Sequence, residues 1–134
     1  MESVELDVAS WTEDANVTVS VHAAWGGPGD YLYTLENPTR GTGRKVFTVR
    51  KRERVRLVER QPHAIVIRNT GGKDSFDLNT TSINPTDESD WRIENARWTT
   101  NPTEALDRWV GVAGAIKMRI NDRGAPTLET ELDR

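Results

Sequence analysis

Apolar and polar residues alternate along most of this chain, which is the period-two pattern of half-buried β-strands. Val4, Leu6 and Val8 share one face of the first such stretch, and three valines alternate in the same way in the second. The alternation predicts strands over the following ranges: Val4–Ser10, Asn16–Trp25, Tyr31–Leu35, Lys45–Arg50, Arg54–Arg60, Ala64–Arg68, Ser75–Asn79, Trp91–Trp98 and Ala115–Ile120.

Stretches rich in Gly, Pro and Asn separate these strands, as is typical of turns and loops. Gly26–Asp30 predicts a turn, and Glu36–Lys45 predicts a loop. Asn69–Asp74, with the sequence NTGGKD, predicts a hairpin turn, because Asn and Gly adopt positive φ at little cost. We therefore expect Ser75–Asn79 to be the return strand that follows Ala64–Arg68.

One stretch, Thr100–Trp109, carries helix signals instead. Asn101 can cap the helix, Pro102 suits its first turn, and Glu104 lies near the positive end of the helix dipole. The sequence therefore predicts a mostly β protein, an antiparallel β-sandwich or barrel of eight to nine strands with one short helix.

Length and composition indicate a single domain. A chain of 134 residues can bury a core of its own, and its hydrophobic content of 35% makes that core small. We expect one β-rich domain over residues 1–134, with a polar C-terminal tail from about residue 121. There is no cysteine, so we expect no disulfide. No apolar run approaches the length of a membrane span, and Met1–Ser10 lacks the regions of a signal peptide, so we expect no membrane association.

Positive charge is concentrated in Phe47–Arg60, which we call the basic segment. It holds six basic and two acidic residues, a net +4, whereas the whole chain has a net charge of −3, so the other 120 residues carry −7. With strand period, Arg54, Arg56 and Arg60 share one face of this segment. We predict that its arginines form an interface with a partner: Arg50, Arg52, Arg54, Arg56 and Arg60.

Three interpretations of the basic segment differ in what the arginines face. They can guard an exposed edge strand against aggregation. They can bind nucleic acid, but the chain is acidic overall and no aromatic residue for stacking lies among the arginines, so we expect no direct nucleic-acid partner. The interpretation we favour is charge complementarity, in which the basic face of one copy meets an acidic surface of a neighbouring copy or partner. Such a head-to-tail contact generates rings or lattices.

The sequence contains no catalytic signature, and we predict no enzyme activity, no cofactor and no metal site. His22 and His63 are far apart and are interpreted as ordinary surface or loop histidines. Asp87–Asp90 and Lys73–Asp77 offer oxygen ligands but lack the register of a calcium loop. Gly41–Lys45 resembles a phosphate-binding loop only in composition, since it leads into a strand and not into a helix.

The chain has five tryptophans, which are Trp11, Trp25, Trp91, Trp98 and Trp109. Tryptophan is enriched in cores and interfaces, where it serves as an anchor, but a row of exposed rings can also form a platform for sugars. We favour core and interface roles, with Trp25, Trp91 and Trp98 as candidate aromatic anchors.

His63–Ser82, with the sequence HAIVIRNTGGKDSFDLNTTS, resembles a strand–NTGG–strand pattern of virion accessory proteins and Ig-like modules. The small, cysteine-free, charge-polarised β chain is similar as a whole to capsid decoration, tail-tube and head–tail connector proteins of tailed viruses. The resemblance implies a non-enzymatic virion structural protein that forms homo-oligomers and contacts other virion proteins after assembly in the host cytoplasm. In a tail tube, Val46–Ile67 would supply a long hairpin.

Two alternative functions remain open. One is a carbohydrate-binding β-sandwich module that uses the tryptophans as its platform, and the other is a small hydrolase or lyase on a jelly roll.

We predict that at least three of the five tryptophans are buried with their ring N–H groups bonded. The assembled protein should then show blue-shifted tryptophan fluorescence with weak quenching by iodide. Red-shifted emission that iodide quenches readily would contradict this prediction and favour the sugar platform.

Overall fold

The computed structural model describes residues 2–24, 28–50, 63–72, 75–81, 97–98, 110–111, 115–121 and 128–129 of the chain. These residues form a mostly β structure that contains two larger antiparallel sheets. None of them belongs to a helix. In particular, this part of the chain contains no apolar helix of membrane-spanning length.

Twelve strands are present among the described residues, and most of them follow the predicted alternation. The larger sheets have the strand orders β12–β11–β1–β4, with β6 also paired to β1, and β3–β2–β5; β7 pairs with β10, and β8 pairs with β9. The strands are β1 (Ser3–Trp11), β2 (Val17–Ala24), β3 (Pro28–Thr34), β4 (Gly43–Thr48), β5 (His63–Asn69), β6 (Phe76–Leu78), β7 (Thr80–Thr81), β8 (Arg97–Trp98), β9 (Val110–Gly111), β10 (Ala115–Ile116), β11 (Met118–Asn121) and β12 (Leu128–Glu129).

β1 organises the five-stranded sheet, because it pairs with three other strands. β4 runs antiparallel along one of its sides. On the other side, the backbone N–H of Asp7 donates to Lys117 (3.3 Å) and the carbonyl of Asp7 accepts from Asn79 (2.9 Å). Since both groups of one strand residue point to the same side, β11 and β6 follow one another along that side of β1.

The two larger sheets share one hydrophobic core. The alternate residues Val4, Leu6 and Val8 of β1 are all buried, as are the three alternate valines of β2. The faces predicted from the alternation are thus confirmed. Each such side chain contributes about 1.5–3 kcal/mol when it is fully buried. The complete set of buried apolar residues is Val4, Leu6, Val8, Val17, Val19, Val21, Leu35, Phe47 and Ile120.

The predicted hairpin at Asn69–Asp74 is wrong. β5 pairs with β2 in the three-stranded sheet, whereas β6 pairs with β1 in the five-stranded sheet. The chain therefore crosses between sheets here and does not fold back on itself. The crossing lets Phe76 pack edge-on against Trp11, with ring centroids 5.3 Å apart. The Asn and Gly residues of this stretch favour a local bend. The packing of Phe76 on Trp11 determines that the strand after the bend pairs with β1.

The long hairpin expected for Val46–Ile67 is also wrong in its described parts. Its first residues belong to β4 and pair with β1, and its last residues belong to β5 and pair with β2. These two strands lie in different sheets, so they cannot be the two arms of one hairpin.

Two crossings between the sheets meet at one contact, which we call the crossover contact: Asp14 and Asn16 from the first crossing, and Asn69, Gly71 and Gly72 from the second. The Asn69 side-chain oxygen accepts from the backbone nitrogens of Asn16 (3.0 Å) and Gly71 (2.9 Å). The backbone nitrogen of Gly72 donates to the Asp14 carbonyl (2.9 Å). A Cβ at Gly71 would overlap that carbonyl and lie 2.7 Å from the nitrogen of Asn16, so the approach requires glycine.

Several element boundaries differ from the sequence expectation. β3 begins at Pro28, inside the predicted turn, and β4 begins two residues before the predicted strand. Part of the expected polar tail forms β12, which pairs with β11. The predicted strand Arg54–Arg60 and the predicted helix Thr100–Trp109 lie outside the described residues, as does most of Trp91–Trp98.

We predict that Gly71→Ala lowers the free energy of unfolding by about 1–3 kcal/mol, because its methyl group would overlap backbone atoms that cannot move independently. Gly72→Ala is the matched control. A methyl group there would meet only the exposed carboxylate of Asp14, which can rotate away. Urea unfolding measures both variants, and equal losses of stability would contradict the prediction.

Candidate functional site

β3 carries the two exposed large hydrophobic side chains of the described chain. The side chains of Tyr31 and Leu32 are 60% and 44% exposed. The cause is a bulge in the pairing with β2: Tyr33 lies opposite Val21 and Tyr31 lies opposite His22, which leaves Leu32 as the extra residue. Because the bulge interrupts the alternation, two successive apolar side chains project outward together.

A groove of about 490 Å³ runs beside these residues, lined by Tyr31, Leu32, Tyr33, Thr34, Leu35, Glu36 and Arg50. Two hydrogen bonds hold Arg50 at its wall. The Arg50 backbone nitrogen donates to the Tyr33 hydroxyl (3.0 Å), and Nε donates to Oε1 of Glu36 (2.9 Å). The Arg50 side chain is 67% exposed, so this ion pair adds little stability. The guanidinium keeps donors that can bind a second carboxylate.

The outer edge of β3 is closed at one end by backbone bonds to Thr48. Leu35 donates to the Val19 carbonyl (2.9 Å), so the flanking residues Thr34 and Glu36 direct their backbone groups away from β2. Glu36 is bonded to Thr48 in both directions, at 2.8 and 3.1 Å. Within the described part of the chain, the outward backbone groups of Thr34 have no such partner. Among the described residues, the edge of β3 is therefore closed at Glu36 and has no further backbone bond at Thr34.

Along Tyr31–Leu35, the edge of β3 lacks the charged residues that are present on β4 and β5. Exposed edge strands are usually protected by charged residues, and an unprotected apolar edge is a site of association. β4, at the edge of the five-stranded sheet, carries Arg44 and Lys45, and β5, at the other edge of the three-stranded sheet, carries Arg68. The stretch Tyr31–Leu35 contains no charge. The groove and the adjoining edge of Tyr31–Leu35 together form what we call the β3 surface.

His22 positions the exposed ring of Tyr31. The two rings meet edge-on with centroids 5.8 Å apart. On its other side, the His22 Nε2 atom lies 2.9 Å from the hydroxyl oxygen of Ser20, which is buried. The histidine thus packs on the sheet and supports an aromatic residue of the β3 surface.

The described residues contain no group of three His, Asp or Glu side chains that could hold a metal ion. From the predicted oxygen-ligand stretch Lys73–Asp77, the Asp77 carboxylate accepts a hydrogen bond from the Leu78 nitrogen (2.9 Å). The other stretch, Asp87–Asp90, lies outside the described residues.

The structure places one predicted interface residue, Arg50, at the β3 surface. Trp98 belongs to β8, which pairs with β9. The remaining predicted interface residues and anchors lie outside the described residues: Arg52, Arg54, Arg56, Arg60, Trp25 and Trp91.

Trp11 belongs to an aromatic cluster of the core. Its ring is stacked on Phe47, with centroids 5.8 Å apart and planes 10° apart, and Phe76 meets its edge. The ring is half-buried in this packing. This packing fits the predicted core role, because Phe47 covers one face of the ring, which a sugar would otherwise stack on.

Sequence reasoning missed Tyr31 and Leu32 as functional candidates. The available signal was two successive apolar residues in an uncharged stretch, YLYTL, which breaks the alternation of a half-buried strand.

No protein-family model matches this chain, and neither a curated protein nor a solved structure is significantly similar to it.

We predict that Tyr33→Phe lowers the free energy of unfolding by about 0.5–1.5 kcal/mol, because it removes the hydroxyl that accepts the Arg50 backbone N–H. Tyr31→Phe is the matched control, and its exposed hydroxyl should matter by less than about 0.5 kcal/mol. Chemical denaturation would contradict this assignment if both variants lost the same stability.

Proposed function

We propose that this protein is a non-enzymatic structural protein that works by self-assembly, as a decoration, tail-tube or connector subunit of a virion. The observation that carries the proposal is the β3 surface, where exposed Tyr31 and Leu32 lie in an uncharged stretch of strand beside a groove. Addition of a strand to a sheet edge is a common mode of protein association. We further propose that the complete domain is a β-sandwich with eight to nine main strands, not counting the two-residue strands, and with the helix at Thr100–Trp109.

The proposed assembly uses a second, electrostatic contact through the basic segment. In this contact, Arg54, Arg56 and Arg60 face an acidic surface of a neighbouring subunit, as the charge division between +4 in the segment and −7 elsewhere suggests. One exposed ion pair contributes only about 0.2–1 kcal/mol. Three pairs that are partly desolvated can change an association constant by about one to two orders of magnitude.

The virion assignment is supported by the character of the chain, which is mostly β, cysteine-free and polarised in charge. The resemblance of His63–Ser82 does not add to this support, because its two strands do not pair as a hairpin. In this proposal the partners are further copies of the chain and other virion proteins, and assembly takes place in the host cytoplasm. Nucleic acid and membrane are not direct partners.

A carbohydrate-binding β-sandwich module is the second candidate. The observation in its favour is the exposed Tyr31 ring at the rim of a groove, since aromatic rings stack on sugar faces. The half-buried Trp11 does not contribute such a face. A monomeric protein that binds oligosaccharides would favour this candidate over assembly.

We predict that the purified protein forms discrete oligomers and that replacing Arg54, Arg56 and Arg60 together by Gln weakens their association by about ten- to a hundredfold. Added salt should weaken the parent in the same direction, since mobile ions screen exposed charges. Analytical ultracentrifugation at several salt concentrations measures both effects.

The matched control replaces Arg40, Arg44 and Arg68, three exposed arginines outside the basic segment, by Gln. It removes the same charge and should leave association within about twofold of the parent. If both triple variants assemble like the parent, the arginine contact does not exist. If the parent is a monomer at all concentrations, self-assembly is not its function.

A further inference from the structure

We propose that Tyr33 and Glu36 are positioning residues for the arginine contact of the basic segment. They hold Arg50, and so they fix the point from which the chain continues to the other arginines of that segment. This inference rests on the proposed self-assembly through the basic segment. It gives Arg50 a different role from the arginines that follow it.

The residues that open the basic segment are each fixed to the sheets. Phe47 is fully buried in the core. Thr48 exchanges two backbone hydrogen bonds with Glu36, at 2.8 and 3.1 Å, and the backbone nitrogen of Val49 donates to the Glu2 carbonyl (2.9 Å). Glu2 precedes β1 and Glu36 follows β3, so the segment begins where it is bonded to both larger sheets.

Two side chains hold Arg50, the next residue of the segment. The Arg50 backbone nitrogen donates to the Tyr33 hydroxyl (3.0 Å), and its Nε donates to Oε1 of Glu36 (2.9 Å). The tyrosine hydroxyl thus takes the place of a backbone carbonyl as the acceptor for this N–H. The first bond fixes the backbone of Arg50, and the second fixes the direction of its side chain.

The ion pair separates Arg50 from the other arginines that the sequence predicts at the interface. The charge of its guanidinium is offset by the adjacent carboxylate of Glu36, so at longer range the pair carries no net charge. An acidic partner surface gains little attraction from such a pair. The positive charge that attracts the partner therefore comes from the residues after Arg50.

A fixed start of the segment favours association. When a segment becomes ordered only on binding, the loss of its conformational entropy weakens the complex. The bonds of Arg50 to Tyr33 and Glu36 restrict the chain before a partner arrives. Loss of these bonds should therefore weaken association although no charge that faces the partner is removed.

The first test compares two substitutions at Glu36 that change the charge equally. Glu36→Gln keeps a side-chain oxygen that can accept the Nε bond, whereas Glu36→Ala does not. Both side chains of the pair are more than half exposed, so neither variant should lose much folding stability. If Arg50 faced an acidic partner directly, removal of the carboxylate would strengthen association in both variants.

With Glu36 as a positioning residue, Glu36→Ala should associate about three- to tenfold more weakly than Glu36→Gln. Analytical ultracentrifugation at a single salt concentration measures both association constants. Equal constants for the two variants would overturn the positioning role of Glu36.

The second test uses Tyr33→Phe, which changes no charge. It is made in the parent and in the triple-glutamine variant, in which Arg54, Arg56 and Arg60 are replaced. Association of the parent should weaken about three- to tenfold. The triple-glutamine variant has no arginine contact to position, so its association should change by less than about twofold. A purely structural loss would be the same in both, and Tyr31→Phe is the matched control that should change neither.

The outcomes distinguish this inference from the proposed function. If the parent assembles and the triple-glutamine variant assembles more weakly, but Tyr33→Phe has the same effect in both, the positioning role is wrong and the arginine contact stands. If the parent is a monomer at all concentrations, the proposed self-assembly is wrong and this inference is wrong with it.

Discussion

The fold depends on the close approach of two chain crossings at the crossover contact. The apolar faces of β1 and β2 bury one another, and these strands lie in different sheets, so the chain must leave the first sheet directly after Trp11. β5 and β6 repeat the change of sheet in the opposite direction. Both crossings use the same end of the core, and Gly71 lets their backbones touch there. The Asn69 amide then satisfies backbone groups of both crossings, which would otherwise lose bonds where the ladders end.

The sequence is most informative where a single physical cause acts locally. Alternation identified β1 and β2 and the faces they bury, because a half-buried strand needs apolar residues at every second position. It did not show that β6 joins β1, since the NTGGKD stretch encodes a bend and the destination is set by packing of Phe76 on Trp11 across the core. The same limit applies to the β3 surface. A bulge is a relation between two paired strands, so the exposure of Leu32 becomes visible only when its register against β2 is known.

The strand edges of the described sheets differ in their charge and in their backbone bonding. The edge formed after Leu35 is closed by Thr48, which ties the end of β4 to the chain that follows β3. Two residues further along the chain from Thr48, the backbone nitrogen of Arg50 donates to the Tyr33 hydroxyl and not to a backbone carbonyl of β3. Among the described residues, this edge has the Arg50–Glu36 ion pair at one end and Pro28 at the other. Proteins that avoid association usually put charge on such an edge. Here Tyr31–Leu35 carries no charge, and the Arg50–Glu36 pair lies at the end of this stretch.

In the proposed assembly, the exposed apolar residues and the basic segment would respond differently to salt. Burial of Tyr31 and Leu32 would depend little on ionic strength, whereas the attraction between exposed charges decays over about 8 Å at physiological ionic strength. A contact between the basic segment and an acidic surface joins unlike patches, so it can continue from copy to copy as a ring or lattice. An acidic chain that gathers its positive charge in one segment would in this way make its assembly depend on the ionic strength of its surroundings.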